Sequence, residues 1–273
     1  MIHVPTAPWL HHVFDLAAWA CAALGGRWVW RHRRAAVERL ARETAPSYFI
    51  SLALGGALGA WLFGSINTLR LAAPILSHSI AGGLVGAIAA VELWKWRHGV
   101  TRSTGGPFVI PLTIGIVIGR WGCLFAGLAD ATYGTPTALP WAVDLGDGIG
   151  RHPVQIYESL AMAAFLLVYW RALLAGQRWA RDHGFHVFVL AYAAQRFCWE
   201  FLKPYPTVIG PLNVFHLLMS GLAVYALVWI VRGAARPGDP ARAQGGALSV
   251  PRPDDEPVRD LPGAGPGQGD HRG

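Results

Sequence analysis

The chain has 273 residues, 53% of them hydrophobic and only 14% charged, with thirteen tryptophans and a formal net charge of +7. That balance excludes an ordinary soluble single domain and a disordered chain, and it marks the membrane class. Positive charge spread over alternate loops excludes a nucleic-acid partner as the reading of the net charge; its sequence meaning is topology and contact with anionic lipid.

Taken in chain order, about seven mostly apolar stretches are long enough to cross a hydrocarbon core of roughly 30 Å as helices. They cover approximately residues 8–25, 47–66, 77–94, 107–125, 153–174, 184–202 and 212–231. The first is interrupted by His11, His12 and Asp15, but no basic leader precedes it and no cleavage site follows, so it reads as a retained helix. Arg27, Arg31, Arg33, Arg34, Arg39 and Arg42 follow the first stretch; Lys95, Arg97 and Arg102 follow the third. Arg171, Arg178 and Arg181 follow the fifth, and Arg232 and Arg236 the seventh. The positive-inside rule then puts the N-terminus outside and the C-terminus in the cytoplasm.

The expected fold is an all-α integral membrane protein of about seven transmembrane helices, with residues 1–232 as one multi-pass domain. Residues 233–273 turn to Pro, Gly, Ala and mixed charge and are expected as a disordered cytoplasmic tail. Cys21, Cys123 and Cys198 fall in predicted spans with no Cys or His spacing for a disulfide framework or a zinc site, so no metal or cofactor is expected. The segment 128–152, rich in Gly, Pro and Asp, is long for a connection and lies outside by the charge argument; such segments tend to carry function.

Ionisable residues inside spans are costly and usually face a partner or a wet cavity. Arg120 ends the fourth stretch within GRWG, and Gln155, Tyr157 and Glu158 begin the fifth. Tyr192, Arg196 and Glu200 share one face of the sixth, spaced four apart. Topology brings Arg120, Arg151, His152, Arg196 and Lys203 to the outer half of the membrane, where a surplus of guanidinium suits a phosphate. His78, also on the outer side, reads either as an interfacial histidine or as a general base. Downstream, the glycines of SIAGGLVG allow close helix packing.

These residues resemble the prolipoprotein diacylglyceryl transferases. The resemblance runs from about His78 to Arg232 and rests on GRWG (family GRxGNFxNGExxG), RHPVQIYE (family RHPxQLYE) and YAAQRFCWEFLKP (family YxxxRxxxEFxRxP). It implies a multi-pass enzyme of the bacterial inner membrane. The implied reaction moves the diacylglyceryl group of phosphatidylglycerol to the lipobox cysteine of a prolipoprotein signal peptide and releases glycerol 1-phosphate. Arg120, Tyr192, Arg196 and Glu200 then match catalytic positions, with His78 as the base, and Gly119, Gly134, Arg151, His152, Gln155, Tyr157 and Glu158 match substrate-binding positions. No cofactor is implied.

The sequence also departs from the family pattern. Cys123, Ala126 and Leu128 stand where the pattern has Asn, Asn and Glu, and Ala81 stands at the histidine before the double glycine, three residues after His78. Two alternatives therefore stand beside the leading reading: a divergent family paralogue with another acceptor, and a non-catalytic lipid-binding or transport membrane protein.

Overall fold

The computed structural model describes residues 1–68 and 77–234; the expected tail, from residue 235 on, lies outside the described residues. The described chain is mostly helical: α1 (Leu10–His32), α2 (Arg34–Glu43), α3 (Pro46–Thr68), α4 (Ile80–Arg97), α5 (Val109–Ala126), α6 (Val154–Leu174), α7 (Arg178–Asp182), α8 (Gly184–Glu200) and α9 (Val214–Ala234). Among the described residues, four helical stretches are long and apolar enough to cross a membrane: Pro46–Ile66, Gly106–Asp130, Val154–Leu174 and Val214–Gly233. The other three expected spans form helices that carry more polar residues or are shorter. His11, His12 and Asp15 sit in α1, Glu92, Lys95 and Arg97 in α4, and α8 has 17 residues.

The helices pair as α3 with α4, α1 with α5 and α8 with α9, while α5, α6 and α8 meet in the centre. The α3–α4 pair is a glycine seam, as the SIAGGLVG stretch implies. A Cβ placed on Gly86 would lie 2.8 Å from the Gly59 Cα, and one on Gly59 equally close to the Gly86 Cα, so the two backbones touch without intervening side chains. Ser79 starts α4 by accepting the Gly82 N–H at 3.3 Å, a conventional N-cap. Val109, Phe188, Tyr192, Met219 and Ala226 form the heart of the apolar core. Trp19, Leu16, Leu58 and Val231 remain exposed on helix surfaces, where a hydrocarbon solvent would accept them.

Two elements escape a hydropathy reading. The arginine-rich segment after α1 is itself helical: α2 buries Leu40 and holds Arg34 against Glu38 at 2.7 Å across one turn. The N-terminus supplies a strand, β1 (Ile2–His3), parallel to β2 (Val143–Asp144), which pairs antiparallel with β3 (Gly150–Arg151). This small sheet ties the chain start to the 128–152 segment, over a satellite core of Val4, Leu124, Val143 and Leu145.

Candidate functional site

The central helices enclose a charge cluster built around one carboxylate. Glu158, one turn into α6 and fully buried, meets Arg120 of α5, Arg196 of α8 and Lys203 just beyond α8. Arg196 Nη1 and Lys203 Nζ donate to Oε1 at 2.5 and 2.7 Å, and Arg120 Nε makes an ion contact with Oε2 at 2.5 Å. Glu200 is the second acid: Oε2 lies 2.9 Å from Arg196 Nε and 3.9 Å from Lys203 Nζ, and Oε1 accepts from Asn213 Nδ2 at 3.4 Å. Three cations against two carboxylates leave one positive charge inside the protein.

Helix periodicity explains the convergence. Tyr192, Arg196 and Glu200 recur every four residues and so line one face of α8, and all three are buried. The Tyr192 hydroxyl, Gln155 Nε2 and His152 Nδ1 are buried with no hydrogen-bond partner among the described residues. Burial of such groups costs free energy unless something completes them. A ligand with several acceptor oxygens at the cluster is the chemistry that this surplus of donors and positive charge suits.

The 128–152 segment folds beside this cluster. Its anchor is Gly134, where a Cβ would lie 2.8 Å from that of His152; only glycine lets the two strands of the segment lie this close. Thr135 donates its N–H to the Leu202 carbonyl at 2.7 Å, and His152 donates its own to Thr135 at 3.0 Å. Two carboxylates stiffen the tip. Asp144 accepts the N–H groups of Gly146 and Gly148, which hold its carboxyl below the usual aspartate range, and the Arg151 guanidinium does the same for Asp147.

The expected site residues divide accordingly. Arg120, Glu158, Arg196 and Glu200 share one ion-pair network, and Tyr192 lies on the Arg196 face of α8. Gly119, on the turn before Arg120, has open space where a side chain would begin. Tyr157 turns its hydroxyl to Trp141 Nε1 at 2.8 Å and its ring to Trp199. Arg151 was expected among the converging bases, but its guanidinium forms a two-pronged pair with Asp147 at 2.6 and 2.7 Å and stacks over Tyr133. His78 is exposed just before α4, and none of its described contacts reaches the cluster, whereas Ala81 is fully buried.

Sequence reasoning assigned Glu158 a binding role by resemblance; the structure makes it the hub of the ion-pair network. It overlooked Asn213 and His216, which cap the start of α9 reciprocally through Asn213 Oδ1 and His216 Nδ1. The signal available was the N-cap pattern of NVFH ahead of an apolar run.

The fold and site define a helical membrane protein with a buried, cation-rich polar centre. Among known families, the model of the prolipoprotein diacylglyceryl transferases matches residues 13–232. The chain belongs to this family and is a transferase. It is 32% identical over 191 residues to the phosphatidylglycerol–prolipoprotein diacylglyceryl transferase of Bordetella parapertussis, covering 64% of this chain and 67% of that one. The enzyme of the same name from Nitratidesulfovibrio vulgaris is 28% identical over 231 residues, or 79% of this chain and 86% of the relative. That of Streptomyces griseus is 34% identical over 173 residues, 57% and 50% of the two chains. No solved structure matches the chain significantly.

Proposed function

We propose that this protein transfers the diacylglyceryl group of phosphatidylglycerol to the lipobox cysteine of a prolipoprotein signal peptide, releasing glycerol 1-phosphate, at the outer side of a bacterial inner membrane. The observation that carries this reading is the buried Arg120–Glu158–Arg196–Glu200–Lys203 network with its surplus positive charge. Its residues fall in the three motifs that carry the family resemblance. In this reading the chain has seven spans, α1, α4 and α8 adding to the four most apolar helices, with the network in the outer half of the membrane and the N-terminus outside.

In this mechanism the acceptor thiolate attacks the glyceryl carbon, a C–S bond forms as the C–O bond to phosphate breaks, and the electron pair leaves on the phosphate. Arg120 and Arg196 stabilise that growing charge more in the transition state than in the ground state, with planar donors already held by Glu158 and Glu200. Tyr192 adds a buried hydroxyl donor, while Gly119 gives the backbone beside Arg120 room for a headgroup. Gly134, Arg151, His152, Gln155 and Tyr157 shape the loop and helix start that close over it. A thiol with a pKa of about 8.5 is mostly protonated at neutral pH, so a base must take its proton. In this reading His78, exposed just before α4, has this role.

The test incubates purified protein with phosphatidylglycerol and a lipobox peptide and follows release of glycerol phosphate. Arg120→Lys or Arg196→Lys keeps the charge but loses the planar fork, and activity is expected to fall at least about tenfold, roughly 1.4 kcal/mol. His78→Gln is expected to abolish transfer and leave lipid binding intact. Retention of phospholipid by the wild type without any transfer would instead identify a lipid-binding paralogue.

A further inference from the structure

Against the ion-pair network, which it touches through Arg120, a cluster of three side chains from three parts of the chain meets: His11 of α1, Cys123 of α5 and Asp130 in the short 3-10 turn after α5. A nitrogen of His11, the Cys123 sulfur and a carboxylate oxygen of Asp130 all lie within 4.8 Å of one another. We propose that these residues form a binding site for a single divalent ion of the zinc class.

The donor set is the first support. A thiolate and an imidazole together favour Zn²⁺ over Mg²⁺ or Ca²⁺, and one carboxylate completes a three-ligand face with the fourth position open. Geometry is the second. Zinc bonds of about 2.0–2.2 Å to nitrogen and oxygen put tetrahedral neighbours roughly 3.4 Å apart. His11 Nδ1 and Asp130 Oδ1 stand 3.2 Å apart. Sulfur, with a longer bond of about 2.3 Å, requires its neighbours at roughly 3.6 Å, a closing motion on the order of 1 Å at most.

The surrounding shell is the third support. His11 Nε2 faces Asp15 Oδ2 at 3.5 Å, one turn along α1. Binding of the ion through Nδ1, which otherwise faces the Asp130 carboxylate, moves the ring proton to Nε2, where the Asp15 carboxylate meets it in the carboxylate–histidine–metal arrangement. The Thr132 hydroxyl donates to Asp130 Oδ2, leaving Oδ1 turned to His11. Arg120 Nη1 lies 3.6 Å from Cys123 Sγ and would donate to the thiolate formed on binding. The thiol proton is released to water as the metal–sulfur bond forms, so Zn²⁺, one thiolate and one carboxylate sum to neutral.

The fold builds the approach deliberately close. At Gly122 a Cβ would lie 2.8 Å from that of Phe14 and 3.3 Å from the His11 carbonyl oxygen, so glycine is what lets α1 bring His11 against Cys123. The His11 side chain is 31% exposed, while Cys123 is buried. Cys123 is also the residue that departs from the asparagine of the family pattern, and His11 and Asp15 are the polar residues that interrupt the first apolar stretch.

The test uses the full chain in detergent, stripped with a chelator and then titrated with Zn²⁺ against a competing chelator and with Co²⁺ as a spectroscopic probe. The expected result is one ion per chain, release of one proton, and a near-ultraviolet thiolate-to-cobalt charge-transfer band. Cys123→Ser and Cys123→Asn should remove the band, and His11→Gln should weaken Zn²⁺ binding by more than tenfold. Asp15→Asn, which touches no proposed ligand atom of the site except through His11, should weaken it by about 10–100-fold. The double variant Cys21→Ser/Cys198→Ser keeps Cys123 as its sole thiol, and neither changed position is fully buried. It must retain the full band. Absence of stoichiometric binding by the wild type, binding unchanged in Cys123→Ser, or loss of the band in the double variant would each overturn the proposal.

Discussion

Glu158→Gln is the sharpest test of the network, because one isosteric change removes the charge that three cations share. In the wild type Arg120, Arg196 and Lys203 all lie within 2.7 Å of a Glu158 oxygen. The amide keeps the shape but offers two N–H donors toward groups that are themselves donors only. Arg196 retains Glu200 at 2.9 Å, Lys203 keeps it only at 3.9 Å, and Arg120 loses its carboxylate. Removing one partner from a buried ion pair costs about 3–5 kcal/mol. At roughly 2–4 °C per kcal/mol for a chain of this size, the unfolding midpoint should fall by about 6–20 °C. Thermal unfolding in a zwitterionic detergent reads this directly, and Lys203→Met in the same background should recover part of the loss by removing one uncompensated cation. A midpoint lowered by less than about 2 °C would show that solvent already satisfies these cations and that the cluster is not an interior network.

Gly86→Val is expected to separate α3 from α4, since even a Cβ there would lie 2.8 Å from the Gly59 Cα; overpacking of this kind costs about 1–3 kcal/mol and is read as a lowered midpoint. Asp144 and Asp147 both have depressed pKa values, so their stabilisation of the loop is fully present above the ordinary aspartate value of about 3.9 and is lost as pH falls through their lower folded values. Amide exchange across residues 142–151 should therefore be constant relative to its intrinsic rate from about pH 7 to 5 and rise below about pH 4. Opening of the loop as pH rises from 5 to 7 would contradict that assignment. Reporter fusions in the 128–152 segment should give an external signal, and a cytoplasmic signal there would reverse the topology and move every proposed site residue with it.

Composition and periodicity alone determined the helical membrane class, the approximate place of each apolar helix and the shared face of Tyr192, Arg196 and Glu200. These follow from local physics: apolar length against hydrocarbon thickness, and the 3.6-residue turn. Arg120 was legible as a functional candidate for a similar reason, since a guanidinium at the end of an apolar run demands a partner. Which partner it takes was not local. Glu158 is 38 residues from both Arg120 and Arg196 in the chain, and only the packing of α6 between α5 and α8 decides that one carboxylate serves both. The same holds for Arg151, whose nearest carboxylate in space, Asp147, is selected by a two-stranded turn rather than by the membrane. His11, Cys123 and Asp130 carry no metal-ligand spacing at all. They meet because Gly122 removes the side chain that would otherwise hold α1 away from α5, a consequence of close packing that no window along the sequence contains.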